Sequence, residues 1–81
     1  MDNLNKAYSP GDIDLIFLES HLRSCGYNIT RTFTVVNDYN TVFLVIEIEN
    51  EDFTFNLSDY SKITYSTIVN AFKDYFNNIL K

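Results

Sequence analysis

The sequence predicts an α+β domain in two layers, built as a helix, a three-stranded antiparallel meander and a second helix. Three observations predict it. Apolar residues recur at helical spacing near both ends of the chain. Between them lie three short runs rich in β-branched and aromatic residues. The stretches joining those runs are too short for a crossover, which makes the strands antiparallel. The 81 residues are expected to form a single domain, 1–81, with residues 1–8 as a loose N-terminal arm. A chain of this size buries only about 60% of its unfolded surface, so the core must be dense. Its 46% hydrophobic content and its 7 Phe and 6 Tyr supply the material. With 2 Gly and 1 Pro, the composition argues against disorder.

The first helix is expected to open at "SPGD", with Ser9 as N-cap, Pro10 in the first turn and Asp12 where the helix dipole favours an acid. Leu15, Leu18, Leu22 and Cys25 then recur on one face, widened by Ile16 and Phe17. Glu19 and Arg23 are an i,i+4 pair on the wet side. Gly26 suits the position that ends the helix. The run "YNITRTFTVV" alternates as a strand, with Ile29, Phe33 and Val35 expected toward the core and Thr30, Thr32 and Thr34 away from it. A turn at "NDYN" leads to "TVFLVIEIE", whose Val42, Leu44, Ile46 and Ile48 form an apolar face. A turn at "NED" leads to "FTFNL", with Phe53, Phe55 and Leu57 inward. "SDYSK" is expected to be a loop. Thr64 caps a last helix carrying Ile68, Phe72, Tyr75 or Phe76, and Ile79 on its apolar side.

Charge is distributed unevenly. The formal net charge is −5. From 32 to 61 there are six acids (Asp38, Glu47, Glu49, Glu51, Asp52 and Asp59) and no Lys or Arg. Four of them crowd "VIEIENEDF", with Glu47 and Glu49 expected on one strand face, pointing away from the core. Such a field repels nucleic acid and anionic membrane and attracts a basic protein surface. Tyr39, Phe43 and Tyr60 are interleaved with these acids, and exposed aromatics beside charge favour protein contact over simple solubility. The expected partner-binding residues are therefore Asp38, Tyr39, Glu47, Glu49, Glu51, Asp52, Asp59 and Tyr60. The competing reading is a solvated edge whose charge blocks strand-to-strand aggregation.

Little in the chain points to catalysis. His21 and Cys25 are i,i+4 neighbours, but Cys25 continues the leucine stripe and is expected to be a buried structural thiol. One His and one Cys cannot make a zinc site of the usual type within one chain. Asp12 and Asp14 lack the Gly and Glu of a calcium loop, and no Gly-rich phosphate loop occurs. We expect no enzyme activity, no cofactor and no metal. The longest apolar run, Val42 to Ile46, is too short to span a membrane. The first ten residues do not read as a signal peptide, and the lone Cys suits a reducing cytoplasm. Asn, Ile, Phe, Tyr and Lys, whose codons are AT-rich, total 35 residues. This directs the reading to a low-GC bacterium or its phage.

The order of elements resembles that of small acidic anti-CRISPR proteins of phages and prophages. The segments that carry the resemblance are "DIDLIFLESHLRSCGYNIT", "VFLVIEIENEDF" and "STIVNAFKDYF". One such family inhibits the RNA-guided DNA nuclease of type II systems, placing carboxylates over the basic residues that read the short DNA motif beside the target. The resemblance implies a stoichiometric inhibitor that mimics DNA. Its partner would be a CRISPR effector nuclease, met through Glu47, Glu49, Glu51 and Asp52 in the cytoplasm of a bacterial host cell. This chain differs in having one C-terminal helix and fewer acids. The alternative is an immunity-type, antitoxin-type or homo-oligomeric interaction module without mimicry, acting as monomer or homodimer.

Overall fold

The computed structural model describes residues 3–79. Residues 1, 2, 80 and 81 lie outside the described residues, as do the side chains of Asn3 and Ile79. A 3-10 turn at Asn3–Asn5 leads into strand β1 (Ala7–Tyr8), and a second at Pro10–Asp12 precedes helix α1 (Leu15–Ser24). Strands β2 (Ile29–Val36), β3 (Val42–Ile48) and β4 (Glu51–Asn56) follow. A third 3-10 turn, Leu57–Asp59, then leads to strand β5 (Ile63–Thr64) and helix α2 (Tyr65–Ile79). Strands β2, β3 and β4 form the expected three-stranded antiparallel sheet in that order. The fold is α+β.

The N-terminal segment and the helix start differ from expectation. Where the structure describes it, the arm expected to be loose is tied down, because Ala7 pairs with Thr64 and Tyr8 with Ile63 in a two-stranded ribbon. The partner strand begins just after the expected "SDYSK" loop, whose first two residues, Ser58 and Asp59, belong to the third 3-10 turn. Ser9 makes no side-chain cap, and Pro10 opens only a 3-10 turn. Helix α1 instead starts after Asp14, whose carboxylate accepts from the Ile16 and Phe17 amides at 3.0 and 3.2 Å. A charged acceptor satisfies two otherwise orphaned amides and complements the dipole better than a serine set further back.

The helix ends as expected. Gly26 has φ +101°; its amide donates to the Arg23 carbonyl and that of Tyr27 to the Leu22 carbonyl, a Schellman closure. Glu19 and Arg23 pair at 3.2 Å, and the Arg23 guanidinium also donates to the Ile29 carbonyl at 3.0 Å. Thr64 caps α2 as expected, its hydroxyl accepting from the Thr67 amide at 3.1 Å.

Both helices pack on one face of the sheet. Leu18 and Leu22 of α1 and Ile68, Phe72 and Phe76 of α2 meet Leu44, Ile46 and Phe53 in one buried cluster. Phe72 lies at its centre, edge-on to Tyr27 at 4.9 Å and to Phe53 at 5.5 Å. Tyr65 joins the helices. Its hydroxyl accepts from the Asp14 amide at 2.7 Å, and its ring meets Phe17 edge-on at 4.7 Å.

The face assignment of β2 is corrected by its register. Ile29 pairs with Ile48, but from Arg31 onward the pairing is shifted by one residue, a bulge at Thr30. A one-residue shift moves every later side chain to the other face. Thr32 and Thr34 therefore oppose Ile46 and Leu44 on the helix side, while Phe33 and Val35 oppose Val45 and Phe43 on the open side. Cys25 is also not buried: it is the exposed C-cap of α1, with Sγ 3.7 Å from His21 Nε2. The leucine stripe ends at Leu22, two residues before the helix does.

Candidate functional site: the open sheet face and its acidic ends

The face of the sheet turned away from the helices carries an apolar strip. Val35 opposes Phe43, and Phe33 opposes Val45, which in turn opposes Thr54. Phe33, Phe43 and Val45 are half-buried and Val35 is 44% exposed. Isolated exposed apolar residues are ordinary, whereas a contiguous strip on an uncovered face marks a surface for contact.

Acids lie at the two ends of this strip. At one end Arg31, Glu47 and Asp52 form a row across the three strands. Arg31 Nε donates to Glu47 Oε1 at 2.6 Å, its second nitrogen reaches Oε2 at 3.4 Å, and the guanidinium lies 4.5 Å from the Phe33 ring centre. The hydrogen bond to Glu47, then the charges of Glu47 and Asp52, raise the Arg31 pKa above the ordinary arginine value. One cation thus serves two facing carboxylates, which would otherwise repel across the strands.

The expected pairing of Glu47 with Glu49 is not formed. β3 ends at Ile48, and Glu49 occupies the tip of the tight turn with φ +53°. Glu51 opposes Ile48, so it projects on the helix side. The four acids of the second hairpin share one end of the sheet but are divided between two faces and a turn.

Asp38, Tyr39, Asp59 and Tyr60 lie at the other end. The first two belong to the β2–β3 turn, held by Asn37, whose side-chain oxygen accepts from the Tyr39 and Thr41 amides, both at 2.9 Å. Tyr39 is 88% exposed. Asp59 and Tyr60 follow β4, and this turn is drawn toward the start of β3 because Ser58 Oγ accepts from the Val42 amide at 2.7 Å. Tyr60 stacks on Phe55 with ring centres 5.6 Å apart. With about 3.4 Å per residue, the seven residues of β3 separate the two acidic ends by about 20 Å.

The expected site residues therefore form two groups with an apolar strip between them. Arg31, Phe33 and Val35 belong to the same surface and were not expected there. Arg31 stands one position before the acid-only stretch, and only the register brings it to Glu47.

Two shallow clefts of about 260 Å³ each lie on the helix side of the molecule. One is lined by Ile48, Glu49, Asn50, Glu51 and Phe76. The other is lined by Tyr8, Asp12, Asp14, Phe17 and Tyr65. In the second, the Asp14 carboxylate is engaged in capping α1, and Lys6 lies over the Tyr8 ring at 5.5 Å. Among the described residues no group of three or more His, Cys, Asp or Glu is placed to hold a metal ion, and no helix is long and apolar enough to cross a membrane. Compared with known proteins, the chain matches no family model, no curated protein and no solved structure.

Proposed function

We propose that this chain is a non-enzymatic binding protein that covers a basic, nucleic-acid-binding surface of another protein and inhibits it stoichiometrically. The observation that carries the reading is the open sheet face, an apolar strip with a carboxylate group at each end in a chain of net charge −5. Apolar side chains at the centre of an interface supply affinity, while charges at its rim steer a basic partner and set register. Because Arg31 neutralises Glu47, the acidic role falls on Glu49, Glu51 and Asp52 at one end and on Asp38 and Asp59 at the other. Tyr39 and Tyr60 stand beside the latter pair as aromatic contacts. The target class, a CRISPR effector nuclease met in the cytoplasm of a bacterial host, rests on the charge and on the resemblance in element order.

The second reading, docking without mimicry of nucleic acid, is favoured by the Arg31–Glu47 pair, which removes a charge from the middle of the acidic hairpin. Salt separates the two. Lysate containing CRISPR effectors is passed over wild-type chain, over a variant with Glu49→Gln, Glu51→Gln and Asp52→Asn, and over Phe43→Ser. Capture of a nucleic-acid-binding protein that is lost with the acid variant and in high salt supports mimicry. Capture lost only with Phe43→Ser, and indifferent to salt, supports apolar docking. Capture unchanged by every variant would sink both.

A further inference from the structure

We infer that β2 is a pairing edge for a second copy of this chain, joining two sheets into one of six strands. The two edges of the sheet are guarded differently. β4 opens with Glu51 and Asp52. The sequence of β2, "ITRTFTVV", has no acid, Gly or Pro, and its one charge, Arg31, is held by Glu47. Natural edges are protected by charge, proline or bulges. Here the bulge at Thr30 and the Arg23 guanidinium on the Ile29 carbonyl protect only the start of the strand.

The free backbone groups can be placed. The Asn37 amide donates to the Thr41 carbonyl at 3.0 Å, so that pair is hydrogen-bonded, and bonded pairs alternate along an antiparallel ladder. Phe33 and Val35 therefore turn their backbone groups toward β3, while Thr32, Thr34 and Val36 turn theirs outward. Thr34 is exposed and Val36 is 59% exposed.

The strand suits a copy of itself. On a two-fold axis at Thr34, each Thr34 amide meets the carbonyl of the other Thr34, and Thr32 meets Val36 of the second copy in the same reciprocal way. Val35 then stands against Phe33 of the second copy on the open face, so the two apolar strips become one. The acidic β4 edges lie at the far sides of the joined sheet, which keeps like charges apart. This inference is independent of the inhibitory reading, because Thr34 and Val36 lie outside the acidic groups.

The test is sedimentation equilibrium of the full chain across a wide concentration range, with amide hydrogen exchange at each end of that range. Wild type is expected at twice its mass of 9.5 kDa, with the Thr32, Thr34 and Val36 amides gaining protection as concentration rises. Thr34→Pro removes an outward donor and spares the bonds to β3. It should weaken the dimer by about tenfold or more with an unchanged far-UV spectrum. Val36→Lys should do the same by placing like charges at the seam. A wild-type chain that stays at 9.5 kDa throughout overturns the inference. So does a dimer that survives both substitutions, or protection of those amides only when another protein is added.

Discussion

Thr32 turns its side chain into the helix-side layer, where its Oγ1 is buried and has no hydrogen-bond partner among the described residues. A buried hydroxyl without a partner loses its water for no return. Thr32→Val keeps the shape and β-branching, and is expected to raise stability by about 1 kcal/mol, read as a shift of the urea midpoint at constant slope. Glu49 costs stability for a different reason. Its φ of +53° is a backbone region that side chains with a Cβ avoid. Glu49→Gly is expected to stabilise the hairpin by about 1 kcal/mol while removing one carboxylate from the acidic end. If that end binds a basic partner, the same variant melts higher and binds more weakly, and calorimetry beside a binding titration checks both signs. Arg31 adds no pH dependence near neutrality. Its pKa is raised, so its contribution is complete below the ordinary arginine value and is lost only as pH climbs through the higher folded one.

At the scale of elements, α1 depends on the Asp14 carboxylate. Asp14→Ala is expected to cost about 1 kcal/mol, seen as a lower thermal midpoint, whereas Ser9→Ala should change nothing measurable. The periodicities that announce the helices and the three strands were readable because each element has one apolar face and must hide it. The start of α1 was not, since Ser9–Pro10 and Asp14 both satisfy the local rules and only the fold chooses between them. The outward turn of Phe33 and Val35 was not readable either. A bulge at Thr30, with no glycine to mark it, reverses the rest of the strand. The same reversal explains the site. Counting charge along the chain located the acids and both groups of candidate contacts. It missed Arg31, which reaches Glu47 from sixteen positions away by register alone.

For the whole molecule, the small core concentrates its stability in few side chains. Phe72 is completely buried and in ring contact with Tyr27, Phe53 and Phe76. Phe72→Ala is expected to cost about 3–5 kcal/mol, a large share of the stability of a domain this size, and to appear as a broad loss of near-UV dichroism at moderate urea. The short ribbon of β1 and β5 has a consequence for the order of assembly. The two hairpins of the main sheet close over short turns. The ribbon, and the Ser66 hydroxyl donating to Asn5 across 61 positions, close most of the chain. Contacts that distant in sequence carry the largest loop-closure entropy. The meander is thus expected to form first, and the contacts that join the two ends of the chain to fasten last: the Asp14–Tyr65 bond across 51 positions and the ribbon, like a clasp over Ile63 and the first turn of α2.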